Sequence, residues 1–402
     1  MTRQHARISA SGIKRRMSCL GSLGLEKFRP SNSSAYAAEG TVAHSIMEAM
    51  LAVHFHSNPG IWTTTREFPP VPNVGDKVNV DGHEIEVTSV MLGFAKQACD
   101  EVVKVFTLAS LIASDARIMI ETEVASQIFP DLLGGHADII IDSSAETVVF
   151  DLKYGAGVLV DDPTQLAVYG LLAMGDDEDW KIKPMRMVVF QPRMRDEPIE
   201  WSWSRDEVRQ FRDTLHDLIP VMAWLDKVMQ VEEDAFRHQS MFTPGDHCQF
   251  CTATAICPAQ KNLVASIPLD TPPDKADVAE LLRISEMEKR IVSYLKKVEA
   301  ELLRRAEAGE SIPGKKLVEK LSNRMITDAE RLTAWLASQG YDPTDYLKPP
   351  TLGSLEQLEQ LIGKVELAKW TDRKVTGREL VPVTDKRPSV TTAVDLLTEN
   401  PA

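Results

Sequence analysis

The 402-residue sequence predicts an α/β (α+β) core, because strand and helix patterns follow one another in a clear order. Three stretches rich in β-branched residues are typical of strands, and the polar turn DSSAE separates the last two. A helical pattern and a further strand pattern come next. In chain order these segments are residues 116–124, 134–142, 146–154, 163–174 and 185–193. This order predicts a sheet covered by helices.

Two helices are predicted in the first 56 residues. Residues 8–28 alternate small and apolar residues with a helical period and include Cys19. Residues 37–56 predict a longer helix, on which His44 and Glu48 lie four positions apart. Residues at this spacing share one face of a helix. The two ionisable side chains are therefore expected to lie together, away from the apolar stripe.

The predicted domain boundaries follow changes in composition. Residues 57–90 are rich in Pro, Gly and Thr and contain an Asp-Gly pair that marks a hairpin, so they predict a β-rich insertion before a helix at 90–113. The insertion belongs to a first domain, residues 1–262. The Pro-rich residues 263–277 predict a linker. Residues 278–402 predict a mainly helical C-terminal accessory region.

Composition predicts a cytoplasmic protein without a membrane span. Hydrophobic residues make up 43% of the chain, enough for a core, and no run of 18 apolar residues is present. The basic start lacks the apolar segment of a signal peptide. A net charge of −14 argues against a protein that coats nucleic acid through bulk charge.

The first 30 residues are a local exception to this negative charge. They carry seven cations against one acid, Glu26. Two interpretations stay open, a disordered basic tail and an edge that contacts phosphates beside an active site. The seven cations are Arg3, Arg7, Lys14, Arg15, Arg16, Lys27 and Arg29.

Two aspartates predict a site for a hard divalent cation. Asp138 and Asp151 lie on successive predicted strands, and pairing of those strands brings the two carboxylates within reach of each other. Asp151 and Lys153 point the same way from their strand, whereas Leu152 points into the core. Carboxylate oxygens suit Mg²⁺ or Mn²⁺. Such an ion activates water and screens the charge of a phosphodiester.

Four cysteines predict a metal site that joins distant parts of the chain. Cys19 lies early, and Cys248, Cys251 and Cys257 form a C-x2-C-x5-C triplet. A reducing compartment favours metal ligation over disulfides. Four thiolates can hold zinc or an iron–sulfur cluster. Cys99 is left over and is expected to be a buried thiol.

The order of these residues resembles the RecB-type branch of the PD-(D/E)XK nucleases. The stretches EGTVAH, GGHADIII, VVFDLKYG and QLAVYGLL look like its successive motifs. Over nearly the whole chain, the likeness is closest to a phage- and prophage-encoded group catalogued as a domain of unknown function. The resemblance implies a restriction-endonuclease-like core (αβββαβ) with helical additions at both ends and a metal staple made by four cysteines.

The resemblance also implies a role for each matching residue. Lys153 would act on the attacking water, with supporting contacts to the ligands from Glu39 and Glu48. The implied metal ligands are His44, Asp138, Asp151 and the carbonyl oxygen of Leu152. The implied catalytic residues are Asp138, Asp151, Lys153, Gln165 and Tyr169.

One early cysteine with a late triplet resembles the iron–sulfur nucleases of the same branch. Zinc sites more often group their ligands as two close pairs. The resemblance therefore implies that Cys19, Cys248, Cys251 and Cys257 hold a [4Fe–4S] cluster, with structural Zn²⁺ as the alternative. The cluster would pin the end of the first domain to its N-terminal helix.

The implied function is a Mg²⁺- or Mn²⁺-dependent deoxyribonuclease. It would act as an exonuclease on linear single- or double-stranded DNA, in phage recombination or DNA replication in the bacterial host cytoplasm. Phage replication or recombination proteins are the expected partners. The alternative is a catalytically silent protein that keeps the nuclease fold and binds DNA or a replication partner. Intact Asp138, Asp151 and Lys153 favour the enzyme.

Overall fold

The computed structural model describes most of the chain, with gaps. The described residues are 6–29, 35–56, 60–64, 67–155, 159–195, 197–265, 277–321, 324–348, 351–352, 354–355, 358, 364–373, 375–382 and 385–390. The chain divides into two compact units, Met1–Tyr294 and Leu295–Ala402. Most of the predicted linker at 263–277 lies outside the described residues.

The first unit combines nine strands with ten helices among its described residues, and the last helix extends past Tyr294. The strands are β1 (Ile8–Ser9), β2 (Trp62–Thr64), β3 (Lys77–Val80), β4 (His83–Glu86), β5 (Arg117–Ala125), β6 (Leu133–Asp142), β7 (Thr147–Leu152), β8 (Met185–Phe190) and β9 (Ile199–Trp203). The helices are α1 (Ile13–Ser18), α2 (Ser22–Glu26), α3 (Ala35–Phe55), α4 (Ser89–Ile112), α5 (Thr164–Met174), α6 (Arg205–Val228), α7 (Asp234–Arg237), α8 (Pro258–Ala265), α9 (Val278–Glu286) and α10 (Glu288–Glu307).

A seven-stranded mixed sheet forms the centre of this unit. Its order is β2-β5-β6-β7-β8-β9, and β1 pairs in parallel with β6. The β2–β5 and β7–β8 pairs are parallel and the other pairs along this order are antiparallel. The mixed α/β part of the predicted fold class is confirmed. The segment 57–90 adds β2 to this sheet and forms a separate hairpin from β3 and β4.

Both faces of the sheet are covered by helices. One apolar cluster packs Ile139 and Phe150 against α3 and α4. The other packs Ile140 and Val149 against α5 and α6. Alternate residues of a strand point to opposite faces, so the continuous apolar runs of β6 and β7 serve both clusters. The buried aspartates of β6 and β7, Asp138 and Asp151, therefore lie on strands that are covered by apolar layers on both faces.

Side-chain alternation along β5 changes at Glu121. Ile120 lies in the cluster with α3 and α4, whereas Val124 lies in the cluster with α5 and α6, although regular alternation would put both on one face. Glu121 has a φ of 48°, in the left-handed region that a non-glycine residue enters at a cost. The neighbouring ladder pairs place Glu121 opposite Asp138. The irregularity therefore lies beside a predicted site residue.

A single helix over residues 8–28 is wrong. The segment forms β1, a short 3-10 turn, α1 and α2, and the chain is extended at Cys19, with φ −148° and ψ 92°. The backbone N–H of Ile8 donates to the carbonyl of Leu132 at 2.6 Å, which ties the segment to the sheet. A side chain at Gly24 would meet the methyl carbon of Met229 at 2.3 Å. Long-range contacts therefore override the local helical pattern.

The second unit has its own small core, built from five buried residues. They are Leu332, Leu336, Tyr346, Leu358 and Leu367. The elements that follow α10 are β10 (Lys315–Leu321), β11 (Met325–Ile326), α11 (Ala329–Ser338), α12 (Pro343–Tyr346), β12 (Leu347–Lys348), β13 (Thr351–Leu352), α13 (Lys364–Ala368), β14 (Thr371–Asp372) and β15 (Val375–Pro382). The longest strand pair is β10 with β15, in antiparallel register.

Within the described ranges, none of the helices combines the length and apolar character that a bilayer span requires.

The core of the first unit supplies a stability prediction. Ile118 on β5 is fully buried, whereas Ile112 at the end of α4 is 64% exposed. Replacing Ile118 with alanine removes buried methyl groups and leaves a cavity, so we expect a loss of about 2–5 kcal/mol in the free energy of unfolding. Ile112→Ala should change it by less than about 0.5 kcal/mol. Urea unfolding followed by circular dichroism measures both, and equal effects would contradict this packing.

Candidate functional site

Asp138 and Asp151 lie across from each other on neighbouring strands. The β6–β7 ladder pairs Ile139 with Phe150, so the next position on each strand is an aspartate. Both aspartates are buried, with 9% and 3% of their surfaces exposed. The backbone N–H of Leu152 donates to Asp138 Oδ2 at 2.9 Å. Strand pairing therefore puts the two predicted aspartates at facing positions of the ladder.

Helix α3 adds a histidine and a glutamate to this pair of strands. His44 Nδ1 lies 3.0 Å from Asp138 Oδ2. Glu48 follows one turn later and is buried. One ligand atom from each of His44, Glu48 and Asp138 lies within 4.8 Å of the others. An imidazole nitrogen with two carboxylate oxygens is a donor set that suits a divalent cation such as Mn²⁺.

Lys153 connects Asp151 to helix α5. Its Nζ lies 2.7 Å from Asp151 Oδ2 and donates to Gln165 Oε1 at 3.3 Å. Gln165 Nε2 in turn donates to the hydroxyl oxygen of Tyr169 at 3.4 Å. The predicted catalytic residues at the end of β7, directly after it and on α5 thus form one continuous row of polar contacts. Asp151 Oδ2 is held by this lysine, whereas Asp138 faces the histidine.

The charges of the site depend on one another. Burial opposes a charge on His44, but attraction to Asp138 and the hydrogen bond that the ring donates to its carboxylate outweigh burial and raise the pKa of His44 to about 9. Burial also opposes ionisation of Asp138, yet His44 and Lys153 hold its pKa below the usual value. Burial raises the pKa of Asp151, although Lys153 acts against this. The two carboxylates therefore depend on the same nearby cations, His44 and Lys153, to stay ionised. A divalent ion would add positive charge to the site.

Two further residues line the same cleft and were missed from the sequence. Glu121 on β5 and His136 on β6 face it together with His44, Glu48 and Asp138. A signal for His136 was present, because it precedes Asp138 by two positions and strand alternation gives both the same side. Glu121 carried no such signal, since its left-handed backbone breaks the alternation.

Glu39 has a different partner from the expected one. Its Oε2 accepts a hydrogen bond from Arg193 Nη1 at 3.1 Å. The Arg193 guanidinium also lies over the ring of Tyr154, 5.0 Å from its centroid. Glu39 therefore ties α3 to the segment after β8. Glu48, rather than Glu39, is the glutamate that joins the compact donor group.

Close packing at the strand start requires a glycine. A Cβ placed on Gly135 would lie 2.9 Å from the ring of Tyr169 and 3.6 Å from the side chain of Ala10. Contacts under 3.0 Å demand displacement of the neighbour, and here the neighbour is a buried aromatic ring. Gly135 therefore allows Tyr169 to reach the polar row.

The four predicted cysteine ligands line one pocket. Cys19 ends α1, and the other three lie on short turns that follow α7. The pocket also includes Ser22, Phe242, His247, Thr254 and Gln260. Each of the four cysteines is a free thiol. The Thr254 hydroxyl lies 2.9 Å from the carbonyl oxygens of both Cys248 and Cys251, which holds the C-x2-C turn in shape.

Backbone N–H groups point at every one of these sulfurs. Gly245 donates to Cys248 Sγ at 3.4 Å. Burial raises the pKa of Cys19 to about 11, although backbone hydrogen bonds from Thr243 and Ser22 act against this. Burial also raises the pKa of Cys251, although the backbone N–H of Ala253 acts against this. It raises the pKa of Cys257 as well, where the backbone N–H groups of Gln260 and Ala259 oppose it. Donors aimed at sulfur favour the thiolate form, which is the form that binds metal.

Gln260 supplies an independent test of whether these residues fit a bound group. Its side chain is 1% exposed, and within the described part of the chain neither its Oε1 nor its Nε2 has a hydrogen-bond partner. Leaving buried polar groups unpaired costs about 1–3 kcal/mol each. An amide facing the cysteine pocket is therefore suited to a group that accepts a hydrogen bond, and the pocket chemistry fits a thiolate-held metal centre.

A buried ion pair holds the N-terminal segment to the cysteine turn. Glu26 is 8% exposed, accepts the backbone N–H of Thr252 at 3.0 Å and pairs with Arg15 Nε at 3.2 Å. Arg16 also contacts its carboxylate. This contact fixes the turn that carries Cys251 against α2 without any metal. The staple is thus partly built from protein groups alone.

The solved structures that are similar to this chain include the following two. One is described as a “Putative exonuclease” from Eubacterium rectale; it is 15% identical, with a TM-score of 0.30 over 55% of this chain and 80% of its own. The other is the crystal structure of SSO0001, at 15% identity and a TM-score of 0.18, covering 42% of this chain and 78% of its own. Scores this low carry no argument about function.

The sequence also matches a protein family over nearly its whole length. The family model is described as “Protein of unknown function (DUF2800)”, and it covers residues 5–388. This confirms the expected likeness to a group catalogued as a domain of unknown function. The chain belongs to the DUF2800 family.

Proposed function

We propose that this chain is a Mg²⁺- or Mn²⁺-dependent deoxyribonuclease of the RecB-type PD-(D/E)XK kind, with a restriction-endonuclease-like core. The observation that carries the proposal is the grouping of His44, Glu48 and Asp138 beside the Asp151–Lys153 pair. These residues come from two separate parts of the chain, helix α3 and the strand pair β6–β7. Their convergence matches the chemistry that the motif resemblance implies.

The proposed ligands divide between α3 and the two strands. His44, Glu48 and Asp138 would hold the ion, and Asp151 with the carbonyl oxygen of Leu152 would complete the set. A bound Mg²⁺ or Mn²⁺ supplies Lewis-acid activation of water and charge neutralisation at the phosphate. Asp138 accepts two hydrogen bonds, which fix the direction of its carboxylate. Oriented ligands of this kind bind a small ion with little reorganisation.

Lys153 is the proposed catalytic cation. Asp151 and Gln165 hold its ammonium group from two sides, so its position is set before a substrate binds. Burial opposes its charge, but the two aspartates raise its pKa above the usual value, so it carries a proton at neutral pH. A fixed ammonium group can orient an attacking water and stabilise the charge that develops on the phosphate. Tyr169 would act through Gln165 by holding its amide.

Further parts of the proposal rest on the resemblance alone. They are exonuclease action on linear DNA and a role in phage recombination or DNA replication, with replication or recombination proteins as partners. The proposal has a second part, in which the four cysteines hold a [4Fe–4S] cluster, with zinc as the alternative. The hydrogen-bond donors around the sulfurs and the unpaired Gln260 amide support a metal centre there.

Loss of the proposed catalytic pair tests the activity. We expect Asp151→Asn and Lys153→Met each to reduce Mn²⁺-dependent hydrolysis of end-labelled linear DNA by about 100-fold or more, because each removes a charge from the reacting centre. The matched controls are Asp100→Asn and Lys96→Met, an exposed pair on α4 with a 2.7 Å contact. The controls should cleave like the unchanged protein.

Two outcomes would count against the proposal. Cleavage at an undiminished rate in Asp151→Asn would remove this site from the reaction. DNA binding by the unchanged protein without cleavage under Mg²⁺ or Mn²⁺ would favour the catalytically silent alternative.

The charge of His44 generates a pH prediction for metal binding. With a pKa of about 9, the free ring is protonated at neutral pH and must lose its proton before it can bind a metal. We therefore expect Mn²⁺ affinity to rise with pH by up to about tenfold per unit and to level off near pH 9. Isothermal titration calorimetry in two buffers measures affinity and proton release. The same slope in His44→Gln would show that another group causes it.

Metal content tests the cysteine site. Cys251→Ser should lose most of the iron and sulfide found in anaerobically purified protein, together with its visible absorption, because one of four ligands is removed. Cys99→Ser, which changes a buried cysteine of α4, should keep both. Zinc without iron would establish the alternative, and absence of both metals from the unchanged protein would exclude the proposed centre.

A further inference from the structure

A basic cleft lies beside the cysteine turn, and none of its lining residues belongs to the pocket of sulfurs. Its walls come from the N-terminal segment and from the residues on either side of Cys251. Leu23 and Glu26 lie in its wall, and its other lining residues are Arg7, Arg15, Arg16, Lys27, Arg29, Phe250 and Thr252. The chain as a whole carries a net charge of −14, so this concentration of cations is a local feature.

Four of the five cations of the cleft share two carboxylate partners, and the fifth, Arg29, pairs with Glu232. Asp226 is contacted by Arg7, at 2.7 and 2.8 Å, and by Lys27 at 3.5 Å. Glu26 is contacted by both Arg15 and Arg16. Each of these two carboxylates therefore faces two cations, so the charge of each cluster is positive. Paired cations with net positive charge attract an anionic ligand.

An exposed aromatic ring lies at the same place. Phe250 is 54% exposed, although aromatic side chains are usually buried. It immediately precedes Cys251, whose turn is held by Thr254 and by the Thr252–Glu26 contact. The exposed ring is therefore attached to a turn whose backbone is fixed by hydrogen bonds. One arginine guanidinium can donate two parallel hydrogen bonds to the oxygens of a phosphate. An exposed aromatic ring offers a surface on which a base can stack.

We propose that this cleft binds single-stranded DNA, with phosphates at the arginines and a base stacked on Phe250. A single strand fits these features because its bases are free to stack, whereas those of a duplex are enclosed. The inference rests on the proposed function only in taking DNA as the ligand. The cleft would be a second DNA contact, separate from the candidate metal site.

The sheet gives the cleft a defined place relative to the metal site. Arg7 directly precedes β1, which pairs with β6 at Leu133 and Gly134. Asp138 lies five residues further along β6, a separation of about 17 Å along the strand. A strand of DNA held in the cleft would therefore be retained at a fixed distance from the proposed reacting centre.

Binding without cleavage tests the cleft. The probe is a fluorescein-labelled oligothymidylate of about 20 nucleotides, followed by fluorescence anisotropy without added Mg²⁺ or Mn²⁺. We expect the double variant Arg7→Gln/Arg29→Gln to weaken binding and to flatten the salt dependence of log Kd by about 1.4, the value for two phosphate contacts. Phe250→Ala should weaken binding about tenfold with little change in that slope.

Matched controls separate the cleft from general charge and from misfolding. Lys77→Gln/Lys96→Gln removes two exposed cations elsewhere, and Phe236→Ala removes another exposed ring, 48% accessible. These variants should bind like the unchanged protein. Phe250→Leu keeps an apolar side chain and should bind as weakly as Phe250→Ala, and thermal melting checks that every variant is folded.

The outcomes distinguish this inference from the proposed activity. If the protein cleaves DNA but the cleft variants bind the probe unchanged, the cleft is overturned and the nuclease stands. If the cleft variants bind the probe more weakly but the unchanged protein cleaves no DNA, the cleft stands and the nuclease is overturned. If the unchanged protein does not bind the probe, the cleft is overturned. It is also overturned if the protein binds duplex DNA with the same affinity as the probe and Phe250→Ala changes neither affinity.

Discussion

One buried hydrogen bond organises the candidate site: the backbone N–H of Leu152 donates to the carboxylate of Asp138. The β6–β7 ladder ends at the pair of Ile139 with Phe150, so the Asp138 side chain accepts the next hydrogen bond where strand pairing stops. The same oxygen meets His44 from α3. A carboxylate in this position couples two strands and a helix, and an unpaired N–H there would be costly. The position of Asp151 opposite follows from the same register.

Much of this arrangement could be predicted from the sequence because it depends on alternation. The strand pattern located β5, β6 and β7, and the short DSSAE turn limited the register that brings Asp138 to Asp151. Glu121 could not be predicted, since the φ of one residue leaves no periodic signal. The break at Cys19 was also missed. It depends on contacts such as Gly24 against Met229, far apart in sequence, which a local pattern does not contain.

The cysteine pocket and the basic cleft are lined by alternate residues of one turn. Cys251 faces the pocket, while Phe250 and Thr252 line the cleft. Glu26 stabilises that turn from the N-terminal segment, and its two arginines belong to the cleft. Neutralising either arginine would leave a buried carboxylate less well paired, which is destabilising. Structural support and surface charge are therefore supplied by the same side chains.

The route of the polypeptide has a consequence for biosynthesis. The N-terminal strand β1 pairs with the start of β6. Arg7 contacts Asp226 and Glu26 contacts Thr252, and both partners are synthesised much later. Domains fold as they leave the ribosome, at roughly 5–20 residues per second. The segment that carries β1, α1 and α2 must therefore stay without its late partners for many seconds while the middle of the sheet assembles. A nascent chain halted before the cysteine turn would lack the Thr252 contact of Glu26, so this segment would be incompletely held.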